Sequence, residues 1–363
     1  MSSPATFLDD PRFSRSVELP ADPSKNRPDV FHITYADYGH RDEQHPETET
    51  VLLFFGPLGG SRWIHVAKDA VAKRRRIRII HPDRPGFGGT DAVDMKHRIQ
   101  TWSGAVVSLL EHLAIKHVSV ACHSGGTVYA LDALLRYPQI LNTENPYFAI
   151  GAPWIAPAQT DSMLMSLVQA LPSGMINQTD KLANLVHGYV GPVISSSLGF
   201  VAKAFTKDSG AEQEAMRREG AKFEEELRTA IGERIFQHGI KGMSSDMLLL
   251  LRKDLGPAGW SDWDNYDRLV PRLAESLAAA HRKLRVHVFY AESDFMSSAN
   301  GTRYFDDCWN ETNRGAAIEY EATTVPGSDH DSIWNLTVGA MQDMFSELAA
   351  HSRRGEPASE PIV

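Results

Sequence analysis

Short apolar runs, each closed by glycine or proline and followed by a helical stripe, constrain the fold of this chain more than any other feature. Thr50–Phe55 is apolar at every position after Thr50 and ends on Gly56-Pro57-Leu58-Gly59-Gly60. A run this short and this continuously apolar reads as a strand buried on both faces. A helical stretch follows to about Arg75, and Ile77–His81 is the next strand. It closes on Pro82 and the glycine-rich turn Asp83-Arg84-Pro85-Gly86-Phe87-Gly88-Gly89-Thr90-Asp91. Thr101–Leu113 carries a helical stripe of Val106, Val107, Leu109, Leu110 and Leu113. Val118–Cys122 is a strand, Thr127–Arg136 a helix stopped near Pro138, and Tyr147–Ala152 one more strand. Such alternation implies an α/β fold, a mostly parallel central sheet flanked by helices on both faces.

The alternation begins with the strand Val30–Tyr38 and breaks after Pro157. Residues 1–29, rich in Pro, Ser and charge, read as an irregular N-terminal arm. Residues 30–157 are the first part of the core, and 158–271 are nearly all helical in pattern, an inserted cap. Within it Met163–Leu171 and Met243–Leu251 are apolar, and the charged stretch Glu212–Arg228 reads as an exposed helix. The core resumes over 272–350, with strands Val286–Ala291 and Ile318–Val325 and helices Thr302–Trp309 and Ser332–Ala349. Residues 351–363 read as a disordered tail.

Composition narrows the classes further. Apolar residues make up 42% and charged residues 23% of the 363, ordinary for a globular protein able to bury its own core. The net charge of −9 argues against a nucleic-acid partner, which needs clustered Lys and Arg. The one basic run, Lys73-Arg74-Arg75-Arg76, falls where a helix ends and complements its dipole. Two cysteines, Cys122 and Cys308, make no disulfide framework. No segment approaches a membrane span or a signal peptide, so the expected setting is cytoplasmic, with no membrane partner. The partner expected is a small-molecule substrate, and the sequence leaves the oligomeric state open.

The chemistry centres on Cys122-His123-Ser124-Gly125-Gly126, which joins a strand to a helix without a gap. A serine at such a turn projects its hydroxyl from the end of the sheet, provided that small neighbours let strand and helix pass closely. Ser124 needs a base. Of fifteen histidines, His330 in Pro326-Gly327-Ser328-Asp329-His330-Asp331 follows the last strand, at the sheet end where such folds assemble sites. Asp294 in Ala291-Glu292-Ser293-Asp294-Phe295 follows the strand before it and is the expected orienting acid. Glu292, nearer the strand end, reads as structural. Cys122 is a rival nucleophile that should instead point into the core. Trp154, Trp260, Trp263 and Tyr266 are candidates to line an apolar pocket, with core packing as the other reading. No metal-ligand spacing and no dinucleotide fingerprint exist, so neither a metal nor a cofactor is expected.

With these motifs in place the chain resembles the α/β-hydrolase fold family, from about Val30 to Ala349 apart from the cap. The order Ser124, Asp294, His330 is that family's order. The resemblance implies a serine hydrolase, esterase-like, with Ser124, Asp294 and His330 as catalytic triad. An ester, thioester, lactone or amide of a small, largely apolar substrate would pass through an acyl-enzyme. It also implies an oxyanion hole built from the amide of Gly125 and one from the loop after the first central strand. There Phe55 stands where many relatives carry histidine, and Pro57 has no N–H, so Leu58 is the expected second donor. Two alternatives stay open: a lyase, retro-aldolase or cyclase on the same scaffold, and a ligand-sensing protein.

Overall fold

The computed structural model describes residues 4–59, 61–176, 211–239, 241–253 and 265–352. Eight strands form one sheet: β1 Arg15–Leu19, β2 Phe31–Gly39, β3 Thr50–Phe55, β4 Ile77–Pro82, β5 Ser119–Ser124, β6 Tyr147–Pro153, β7 Leu284–Ser293 and β8 Ile318–Asp329. Their spatial order is β1-β2-β4-β3-β5-β6-β7-β8. β1 and β2 run antiparallel to their neighbours, and every later pairing is parallel.

The described helices are α1 Pro4–Leu8, α2 Asp69–Arg74, α3 Met95–His112, α4 Gly126–Arg136, α5 Met163–Ala170, α6 Ser173–Ile176, α7 Ala211–His238, α8 Gly242–Leu250, α9 Tyr266–Ala279, α10 Ala299–Cys308, α11 Glu311–Arg314 and α12 Ala340–Ser352. Side chains alternate across the sheet, so β3 feeds two cores. Leu53 and Phe55 join residues of α3, α4, α8 and α9 on one face. Leu52 and Phe54 join residues of α7 and α12 on the other. The buried central strands thus read as continuous apolar runs because both faces are covered.

Three expectations need correction. The N-terminal arm is not irregular: Arg15–Leu19 pairs with β2, Arg15 opposite Tyr35, and Phe13 is fully buried. The last helix starts at Ala340, not Ser332. Residues 331–339 are turns because their groups bond elsewhere. Ser332 exchanges hydrogen bonds with Asp329, the Trp334 indole donates to the Cys122 carbonyl at 3.1 Å, and the Leu336 amide donates to Glu224 at 2.8 Å. Pro271, taken as the end of the cap, lies inside α9. The charged stretch expected as an exposed helix is part of α7, which buries only Leu227 and Ile231 among its described side chains. Gly60, Trp260, Trp263 and much of the expected cap and tail lie outside the described residues.

Candidate active site

The turn from β5 into α4 carries Ser124 at φ 50°, in the left-handed region. That conformation costs a residue bearing a Cβ roughly 1–2 kcal/mol, so the surroundings must hold it there. They do so by close approach. A Cβ placed on Gly126 would lie 2.3 Å from the Phe55 carbonyl oxygen, so only glycine lets α4 begin against the end of β3. Cys122 points into the core, its sulfur 3.7 Å from the Thr127 hydroxyl. Burial pushes its thiol well above the ordinary range, which removes it as a rival nucleophile.

The loop ends of β7 and β8 bring two more groups to this turn. His330 Nε2 lies 2.8 Å from the Ser124 hydroxyl, and Nδ1 lies 3.0 and 2.9 Å from the two Asp294 oxygens. A carboxylate accepts only, so Nδ1 carries the hydrogen and Nε2 is left to accept from serine. Asp294 is itself held by the amides of Met296 at 2.8 Å and Ser297 at 3.1 Å. Burial works to raise the Asp294 carboxyl, but the bond and charge of His330 and these two amides outweigh it, leaving it below its usual value. Burial works to lower His330, and the bond and charge of Asp294 reverse that, leaving the imidazole above its usual value. Glu292 is elsewhere, accepting from the Gly327 amide at 2.8 Å and bracing the loop that carries His330. Asp329 caps the following turn, taking the amides of Asp331 and Ser332.

The loop after β3 lies beside the elbow. The Leu58 nitrogen is 3.5 Å from where a Cβ on Gly125 would stand. The same Gly125 position lies 2.8 Å from Leu250 Cδ1, and a Cβ on Gly59 would lie 2.7 Å from Met243 Cε. Apolar side chains of α8 therefore cover the loop after β3 and the turn at Ser124. Phe295 stands edge-on to the His330 ring at 5.5 Å. Of the aromatic candidates, Trp154 and Tyr266 belong to the core, where the Tyr266 hydroxyl donates to the Trp154 carbonyl at 2.6 Å. Among the described residues no cluster of His, Cys, Asp or Glu is placed to hold a metal. No described helix is long and apolar enough to cross a membrane.

Sequence reasoning missed a buried ionic cluster beside this site. Arg84, in the turn after β4, donates to the carbonyls of Gly56 and Pro57 and to Asp246 of α8. The one available signal was Asp246 itself, a single acid within the apolar run Met243–Leu251.

Residues 53–337 match the alpha/beta hydrolase family, and the chain belongs to it. Solved structures agree on the fold. An epoxide hydrolase from Vigna radiata is 16% identical with a TM-score of 0.55, covering 94% of this chain and 97% of its own. A carboxylesterase of the archaeon Nitrososphaera gargenis is 15% identical with a TM-score of 0.52, over 94% and 100% of the two chains. The enol-lactonase of Burkholderia xenovorans LB400 is 15% identical with a TM-score of 0.51, over 89% and 97%. No curated protein sequence matches this chain.

Proposed function

We propose that this protein is a serine hydrolase acting on an ester, thioester, lactone or amide of a small, largely apolar substrate. The observation that carries this reading is the continuous chain from the Ser124 hydroxyl through His330 to Asp294, at 2.8 and 2.9 Å. Ser124 Oγ attacks the carbonyl carbon while His330 Nε2 takes its proton. Asp294 stabilises the imidazolium, and collapse of the tetrahedral adduct expels the leaving group with that proton. Water, deprotonated by His330, then releases the acyl group. The amides of Gly125 and Leu58 stabilise the oxyanion in both steps. The apolar side chains Met243 and Leu250 above the elbow support an apolar acyl group. No step requires a metal or a cofactor.

The test is labelling with a fluorophosphonate probe, followed by peptide mapping. The expected adduct sits on Ser124 and disappears in Ser124→Ala, together with turnover of p-nitrophenyl acyl esters. An adduct elsewhere, or none on folded protein, rejects the nucleophile. One observation favours a second reading. Pro57 withdraws one amide from the oxyanion loop, and a site with a single donor suits a lyase, retro-aldolase or cyclase in which Ser124 and His330 relay protons. Slow labelling with no ester turnover would select that reading.

A further inference from the structure

Asp246 is fully buried on α8, and its two oxygens take three donors from the core. Arg84 Nε lies 2.6 Å from one oxygen; Arg98 Nε at 2.6 Å and the Tyr129 hydroxyl at 2.7 Å share the other. Burial works to raise this carboxyl, and the two guanidinium charges overcome that and keep it ionised. Backbone bonds seat the helix start on the same turn. The Gly242 amide donates to the Gly86 carbonyl at 2.9 Å, and the Gly88 amide to the Gly239 carbonyl at 3.2 Å. Asp246 is thereby fixed against Arg84 although 162 residues separate them.

Arg84 spends its remaining fork on the oxyanion loop. One terminal nitrogen donates to the Gly56 carbonyl and the other to the Pro57 carbonyl. In a trans peptide the carbonyl and the following N–H point to opposite sides, and the described chain contains no cis bond. A guanidinium that holds the Pro57 oxygen on one side therefore turns the Leu58 N–H to the other. The Leu58 nitrogen lies beside Gly125. The stacking of Arg84 over the Tyr129 ring, 5.0 Å from its centroid, fixes the plane of the fork.

We propose that Arg84, held by Asp246, is a positioning residue that aims the Leu58 amide at the oxyanion, so that α8 completes the oxyanion hole as well as covering it. This rests on the acyl-transfer reading above. A lysine at position 84 keeps the charge but cannot span two carbonyls and a carboxylate at once.

The experiment measures kcat and KM separately for p-nitrophenyl butyrate hydrolysis by wild type, Arg84→Lys and Asp246→Asn. Wild type is first required to label at Ser124 with the fluorophosphonate; if it does not, the acyl-transfer reading fails and the variants are not the cause. With wild type labelled, Arg84→Lys should lower kcat about 100-fold, on the scale of a lost oxyanion donor, and leave KM within about twofold. Asp246→Asn should change in the same direction by about 10-fold. The acidic limb of the pH profile, set by His330, should not move in either. A role confined to gluing the helix in place would instead lower the unfolding temperature while leaving kcat per folded molecule unchanged. That outcome, or a raised KM at constant kcat, overturns the proposal. If neither variant folds, the cluster is a requirement of the fold and the positioning role is rejected.

Discussion

The carbonyl oxygen of His330 accepts a hydrogen bond from Nε2 of His123 at 2.7 Å. The residue preceding Ser124 thus holds the backbone of His330, and the β5–α4 turn and the His330 loop are registered to each other through the sheet end as well as through Ser124. A carbonyl only accepts, so the His123 imidazole is neutral or cationic with its hydrogen on Nε2. Burial, with the His330 charge 5.6 Å away between ring centres, pushes it down to about 3, so it stays neutral.

His123 has two buried companions, and together they predict acid lability. His81 is also pushed down to about 3, by burial and then by the charges of Arg84 and Arg62. Burial holds His65 well below its usual value. These histidines take up protons near 6.5 only when unfolded, so their contribution to stability is complete above that value and is lost as pH falls below it. Each proton differing between the states gives a slope of about 1.4 kcal/mol per pH unit. His330 has the opposite sign: its raised value stabilises below 6.5 and is lost as pH rises through the folded value. Chemical denaturation between pH 4 and 7 should therefore show stability falling towards acid, with a slope to which each of these rings adds up to about one proton. Replacing His81 by Phe should remove about one proton from that slope. A flat profile would show that these rings protonate in the folded state.

The second prediction separates the two acids at the carboxyl end of β7, Glu292 and Asp294. Asp294→Asn should leave the fold intact and lower kcat by about 10⁴, because an amide can present its N–H to Nδ1 and favour the wrong tautomer. In wild type, kcat/KM should rise with pH through a limb above 6.5, since His330 must be neutral to act and Asp294 raises its value. Removing that charge should move the residual limb to lower pH. Glu292→Gln, which touches the Gly327 amide and not the imidazole, should change turnover by less than about tenfold. A more damaging Glu292 change would reverse the two assignments.

What the sequence revealed was what local chemistry decides. β3, β4 and β5 announce themselves because each is buried on both faces, and the elbow because Gly126 must sit against the Phe55 carbonyl. Ser124, Asp294 and His330 stand out in the sequence because each lies where a strand ends, at the same end of the sheet. What stayed hidden depends on partners far along the chain. Arg15–Leu19 is a strand only because β2 offers it an edge. The final helix was expected from Ser332, yet Cys122 and Glu224 bind groups of the run Ser332–Gly339 in turns. The expected cap boundary at Pro271 falls inside α9, which buries Leu269, Val270 and Leu273 around it. Arg84 and Asp246 carry no periodic signal at all. A lone acid in an apolar helix does imply a buried cation, but nothing local says which of the 37 lysines and arginines supplies it.

The last prediction concerns substrate size. Leu250 Cδ1 would stand 2.8 Å from a Cβ on Gly125, so this side chain roofs the space beside the Gly125 amide, where the proposed mechanism places the acyl group. Leu250→Ala should open that space and favour longer acyl chains, while Leu250→Phe should close it. One methylene in an apolar pocket is worth about 1–3 kcal/mol, or 10–200-fold in kcat/KM. The alanine variant should therefore raise the hexanoyl-to-acetyl ratio of p-nitrophenyl ester turnover by at least about tenfold, and the phenylalanine variant should lower it. Leu250 is also a core residue, only 1% exposed, so truncation will cost stability, roughly 2–5 kcal/mol. The ratio is insensitive to this, because both esters are read on the same folded fraction. A general loss of activity with an unchanged ratio would mean that Leu250 supports the helix without shaping the acyl site, and the pocket would have to be sought on another element.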